Sequence, residues 1–145
     1  MDINSIRSSV GIVEILLVAG VLSLGSLVGA QATARSGPVT ETPVTSEVLP
    51  DNSGRSVTAV VAELAPGAKA PSHHHAGIVF AYVLEGTVRS QLNNGKASDY
   101  RAGQYWVEPP GAKHTLTQNP SQTMPARLLA VFVAPTGAQL TAYDK

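Results

Sequence analysis

The chain has no cysteine, which removes disulfides, thiolate metal sites and cysteine nucleophiles together. Charge asymmetry is missing too, because the 10 basic and 10 acidic side chains cancel and no run of either sign occurs. A phosphate backbone therefore finds no basic stripe, and nucleic acid is not an expected partner. Nor is there a serine-histidine-acid arrangement or a phosphate-cradling glycine loop. Beyond the N-terminal segment no stretch carries a helical period. Without cysteine, the chain fits an exported protein as well as a cytosolic one.

Histidine is present but scarce. All 4 histidines fall in two segments, Gly67 to His75 and Pro109 to His114. Along an extended strand, side chains at i and i+2 share a face, so His73 and His75 aim at one point while His74 looks the other way. Neutral imidazole suits Zn, Fe, Ni, Mn or Cu, and a third histidine from a distant turn, His114, completes a facial set with positions open to water or substrate. The competing reading of a triple-histidine run is a solvated loop that touches nothing.

With 145 residues the chain has room for one domain, and a single site is the expected number. Residues 1–32 differ in composition from the rest. Gly11 to Ala30 is nearly all Ile, Leu, Val, Ala, Gly and Ser, broken by Glu14, and it ends on small residues around Ala30 and Ala32. With Arg7 ahead of it, this describes a secretory signal peptide, and the length of the apolar run also admits an uncleaved membrane anchor or a buried structural helix. The first two readings place the remainder in the periplasm or the secreted fraction, with membrane contact only if the leader stays. Residues 33–43, with Pro38 and Pro43 among Thr and Ser, read as a linker.

From residue 44 onward the pattern predicts short strands. Val44 to Leu49, Val57 to Leu64, Phe80 to Leu84, Thr87 to Leu92, Tyr105 to Glu108, Thr115 to Gln118 and Ala126 to Ala134 are extended runs separated by turn residues. Asn93, Asn94 and Gly95 mark a hairpin, since Asn and Gly tolerate positive φ. Strands this short with frequent turns describe an all-β sandwich or barrel.

The spacing of the histidines resembles the cupin superfamily. Its first motif, Gly-x5-His-x-His-x3,4-Glu-x6-Gly, is met by Gly67, His73, His75 and Gly86, with Val79 where the glutamate belongs. Its second, Gly-x5-Pro-x-Gly-x2-His-x3-Asn, is met by Gly103, Pro109, Gly111 and His114, with Gln118 at the asparagine position and Asn119 one place late. The resemblance implies a cupin-type jelly-roll β-barrel of two antiparallel sheets over residues 44–145, with a divalent metal ion (Fe, Mn, Ni or Zn) held inside by His73, His75 and His114. It further implies a metal-dependent enzyme of oxygenase, lyase or isomerase type acting on a small organic substrate. The alternative is a non-catalytic or vestigial small-molecule-binding module. Cupins are often dimers, which makes a homodimer the expected assembly.

The missing glutamate sharpens the question of ligands. With Val79 in its place, three neutral imidazoles are left, a set expected to favour anionic chelating substrates, and one wall of the cavity becomes apolar. Glu108 and Gln91 are the candidates for a fourth ligand, each subject to strand parity. Otherwise Glu108 is a rim carboxylate and Gln91 a surface residue. Tyr82, Tyr105 and Trp106 are candidates for core or cavity wall, and Glu85 for a solvated turn. If Val79 faces inward, so do Ala81 and Val83, while Phe80, Tyr82 and Leu84 face out and call for a cover. Arg127 to Val133, apolar on both faces, gives the same signal.

Overall fold

Alternation dominates the computed structural model, which describes residues 38–51 and 53–145. The leader and residues 33–37 of the linker lie outside the described residues. Eleven strands follow in order: β1 (Val39–Val48), β2 (Arg55–Leu64), β3 (Lys69–Ala70), β4 (His73–His75), β5 (Ile78–Glu85), β6 (Thr87–Leu92), β7 (Ser98–Arg101), β8 (Tyr105–Glu108), β9 (Lys113–Gln118), β10 (Ala126–Pro135) and β11 (Thr141–Tyr143). One sheet runs β1-β2-β10-β5-β8 and the other β11-β4-β9-β6-β7, with β3 paired to β9. Every pairing is antiparallel. No helix occurs among the described residues.

Two faces per strand explain which residues build the core. On β5, Val79, Ala81 and Val83 are buried while Ile78, Phe80 and Leu84 are exposed. On β10, Leu128, Ala130 and Phe132 point inward, and the intervening Leu129, Val131 and Val133 are half-buried. The doubly apolar β10 is thus explained in part by its place between β2 and β5. Full burial of Leu64, Val79, Val83 or Val88 removes each from water at about 1.5–3 kcal/mol apiece. Many of the remaining inward positions are alanine, among them Ala62, Ala81 and Ala130. Small side chains there leave space between the sheets.

The turns carry the motif glycines. Gly67, Gly86, Gly103 and Gly111 all have positive φ, which L side chains adopt at a cost. Gly86 has a second constraint: a Cβ on it would lie 2.6 Å from the Pro125 carbonyl oxygen. β1 begins at Val39, five residues ahead of the expected Val44, so part of the expected linker pairs with β2 (Val39 opposite Leu64, Thr42 opposite Val61). Its residues are exposed on both faces, apart from half-buried Val39, and an edge strand of that kind shows no alternation. The Asn93 turn joins β6 and β7, with positive φ at Asn93 alone.

Candidate metal centre

β4 and β9 pair with His73 directly opposite His114. The alternation of β4, buried-exposed-buried, brings His75 onto the same inner face and turns His74 outward, where it lies 3.6 Å from Asp144. His73, His75 and His114 each offer a nitrogen, and these donors lie within 4.8 Å of one another. Two metal–nitrogen bonds span about 4 Å at most, so sharing one ion requires the farthest pair to close by several tenths of an ångström. All three rings are buried, so the solvated-loop reading falls.

Backbone carbonyls orient two of the rings. Nδ1 of His73 lies 2.7 Å from the Pro71 oxygen, and Nδ1 of His75 lies 3.1 Å from the Leu140 oxygen. A carbonyl only accepts, so each Nδ1 carries the proton and each Nε2 keeps its lone pair for a ligand. His114 is engaged at both nitrogens, with Nε2 2.7 Å from Ser90 Oγ and Nδ1 3.2 Å from Glu108 Oε1. Burial, the largest influence, holds His73 and His75 below the ordinary histidine range, against the opposing pull of the Pro71 carbonyl on one and the Glu108 charge on the other. Neutral rings are the form a metal needs.

Glu108 sits among them. It is 3% exposed and stands on β8, in the sheet facing the histidines. Its Oε1 accepts a hydrogen bond of 2.9 Å from Trp106 Nε1, and its Oε2 lies 3.6 Å from His75 Nε2 with no hydrogen-bond partner. Burial pushes its carboxyl up, but the hydrogen bond and charge of His114, the Trp106 N–H and His75 together outweigh this and hold it below its ordinary value. The rim-carboxylate reading of Glu108 is thereby replaced. Of the two candidates for a fourth ligand, Glu108 is the one that faces the imidazoles, while Val79 is apolar and buried as expected.

Gln91, the other candidate, keeps its surface reading. Ser90 and Val88 are the buried residues of β6, so Gln91 takes the other face, where its Nε2 donates to the Gly95 oxygen at 2.8 Å. Tyr105, 58% exposed, and half-buried Tyr82 belong to the outer face of β8 and β5, whereas Trp106 faces in. Glu85 is exposed, as expected, but ends β5 just ahead of the Gly86 turn.

The histidines and Glu108 line a cavity of about 720 Å³ between the sheets, within the range of small-molecule sites. Its opposite wall is apolar, with Val60, Leu128, Ala130 and Phe132. Thr117 Oγ1 faces the cavity without a hydrogen-bond partner. At the mouth stand Glu41, Lys69 and Tyr143, whose ring centre is 5.9 Å from that of His73. Sequence reasoning missed Ser90, Thr117 and Tyr143. Ser90 lies on β6, whose parity is set only by its pairing with β9, Thr117 stands three residues after His114 with a register shift between them, and Tyr143 belongs to a three-residue strand with no pattern of its own. The donor set fits a divalent ion: two imidazoles with free Nε2 atoms, a third beside a carboxylate, and an orphaned oxygen that lacks only a partner.

Comparison with known proteins agrees with this fold. A family model for the cupin domain matches residues 60–132. A solved structure from Thermus thermophilus is 30% identical over 70% of this chain and 89% of its own, with a TM-score of 0.53. An uncharacterised conserved protein with a double-stranded β-helix domain from Klebsiella pneumoniae is 28% identical, over 71% of this chain and 84% of its own, at a TM-score of 0.52. A DMSP lyase from Ruegeria pomeroyi is 19% identical over 82% of this chain and 56% of its own, at a TM-score of 0.60, a likeness of fold alone. No curated protein sequence matches.

Proposed function

Since the chain belongs to the cupin superfamily, we propose that it is a small metal-dependent enzyme acting on an organic substrate with an apolar body and one polar end. The observation that carries this reading is the gathering of His73, His75 and His114 in a cavity of about 720 Å³. The proposed ligands for a divalent ion (Fe, Mn, Ni or Zn) are these three side chains. A bound ion supplies Lewis acidity at one end of the cavity. The chain's own groups do the rest: Val60, Leu128 and Phe132 receive the apolar body, and Thr117 Oγ1 hydrogen-bonds the polar end. Oxygenase, lyase and isomerase chemistry all fit such a site, since fold and ligands do not choose the reaction. Support for catalysis includes a lyase among proteins of the same fold.

Elemental analysis of tag-free protein is expected to find near one metal per chain, and His75→Ala to lose it. Retention of the metal in that variant rejects these ligands. Metal-loaded protein that turns over none of a panel of catechols, thiols and hydroxy acids, and consumes no O2 with them, rejects the enzymatic reading.

The proposal extends to location and assembly. The composition of residues 1–32 supports export to the periplasm or beyond, and the intact mass of exported material tests whether cleavage falls near Ala30 to Ala32. Ile78, Phe80 and Leu84 on β5, with Tyr105 and Val107 on β8, are exposed on one outer face, which supports a homodimer that covers them.

A further inference from the structure

Val79 and Glu108 are cross-strand partners in the β5–β8 ladder. Both are buried, at 1% and 3% exposure, and both line the cavity. Directly opposed residues on one face of an antiparallel pair have Cβ atoms about 4.5–5.5 Å apart, so a carboxylate attached at 108 serves the same part of the cavity as one attached at 79. We infer that Glu108 supplies the carboxylate ligand that position 79 lacks, completing a three-histidine, one-glutamate centre with the acid moved to the neighbouring strand. This rests on the metal-binding reading above and adds a ligand to it.

Two observations point to a metal ligand rather than to a group that only makes a structural hydrogen bond. The first is spacing. Oε1 lies 3.2 Å from His114 Nδ1 and Oε2 lies 3.6 Å from His75 Nε2, close to the separation of about 3.0–3.4 Å between donors sharing one ion at ~2.1 Å. One carboxylate thus approaches two of the three imidazoles. The second is the accounting of polar atoms. Trp106 satisfies Oε1, but Oε2 is buried without any hydrogen-bond partner. A buried carboxylate oxygen left so is expensive and rare, and this one is aimed between the sheets at the histidine cluster. An acid needed only to orient His114 would use one oxygen and leave the other to solvent or to a second donor.

The consequence concerns the substrate class. A glutamate ligand lowers the formal charge of a divalent centre by one, so the pull on anionic chelating substrates expected of three neutral imidazoles is reduced. Neutral or singly anionic substrates then become the better match for a pocket whose far wall is hydrocarbon.

The test is a carboxylate swap read by metal affinity and by the visible spectrum of the Co(II)-loaded protein. Glu108→Val is expected to weaken Zn(II) affinity, measured by chelator competition, by more than roughly the 100-fold that loss of an orienting partner costs, and to change the Co(II) bands. The double variant Val79→Glu with Glu108→Val is expected to recover most of that affinity and a four-ligand spectrum. Glu108→Gln, which preserves shape, is expected to lose affinity like the valine variant, so misfolding does not mimic the result. Glu108→Val or Glu108→Gln with wild-type affinity and an unchanged spectrum overturns the inference, and so does a swap that folds but recovers nothing. Wild-type protein that binds no Zn(II) or Co(II) overturns the metal-binding reading itself, whereas the Glu108 outcomes leave that reading standing.

Discussion

His114 and Asn119 are five residues apart and both are buried, at 3% and 0% exposure. In a regular strand an odd separation places two residues on opposite faces. β9 escapes this through a bulge: its register against β6 steps from Leu116 opposite Gln91 to His114 opposite Leu92, so Thr115 is the extra residue. Past the bulge, Thr117 and Asn119 return to the inner side. An asparagine one place late in the motif thus reaches the interior, where its Nδ2 donates to the carbonyls of Leu64, Ala65 and Met124 and its Oδ1 accepts from the Ser121 N–H.

Asn119→Ala is accordingly expected to destabilise the barrel without touching the metal centre. It leaves buried backbone groups unpaired, at about 1–3 kcal/mol for each one that water cannot reach. A total loss of about 2–4 kcal/mol is expected, read as a lower urea midpoint at an unchanged m-value. Metal content of the folded protein is expected to stay at the wild-type level, and a variant as stable as wild type removes the role given to Asn119.

Most strands are legible in the sequence because one face of each is buried. Val79, Ala81 and Val83 alternate with more exposed neighbours, and Gly86 marks the turn that ends their run. The elements that escape are those without a buried face or without length. β1, exposed on both sides, is legible only from Val44 onward, and β3, β7 and β11 are 2, 4 and 3 residues long. At the site, His73 and His75 are readable from their spacing of two, and His114 from its motif. Glu108 and Gln91 are not separable that way, because parity needs an anchor on the same strand. Trp106 and Ser90 supply those anchors only once the pairing is known. The one-residue shift at Asn119 is invisible for a related reason: a bulge changes parity without leaving a signature in residue type.

Acid is expected to weaken the fold in two stages. His73 and His75 have folded-state values below the ordinary one of 6.5, so the unfolded chain takes up protons first as pH falls through that value, and stability declines with it. Glu108 has a folded-state value below 4.5, so its contribution is complete above 4.5 and is lost as pH falls through the folded value. Both effects have the same sign. Melting temperature of metal-free protein is expected to fall between about pH 7 and 5 and again below about 4.5, and His73→Asn is expected to flatten the first decline. A melting temperature that rises toward pH 5 contradicts the neutral, buried state of these rings.

The outer face of β5 and β8 gives a prediction about assembly. Phe80 packs against Tyr105 and Tyr82, with ring centres 5.3 and 6.5 Å apart, while remaining 39% exposed. Phe80→Asp places a charge in the middle of this patch, where a dimer would have to desolvate it at several kcal/mol. Light scattering is expected to show a dimer for the wild type and a monomer for Phe80→Asp, with unchanged far-ultraviolet circular dichroism. Wild-type protein that remains monomeric as concentration rises rejects the dimer.

The alanines of the cavity allow its space to be tested apart from its metal. Ala130 lines the wall opposite the histidines, with Ala81 and Val60 as its cross-strand partners. Extra methylenes in a filled core cost about 1–3 kcal/mol through strain, but at Ala130 they have empty volume to enter. Ala130→Leu is therefore expected to keep or raise stability by about 1 kcal/mol from added buried area, with metal stoichiometry unchanged. The chain has a single tryptophan, Trp106, which lines this cavity and is 6% exposed. Ala130 lines the same cavity, so a small neutral quencher such as acrylamide is expected to reach the indole past the space that leucine would occupy. Quenching is expected to fall several-fold in Ala130→Leu, and the turnover of any substrate that uses the apolar wall to fall with it. Destabilisation by about 1–3 kcal/mol with quenching unchanged would mean that the wall closes up in solution and that no such cavity is available to a substrate.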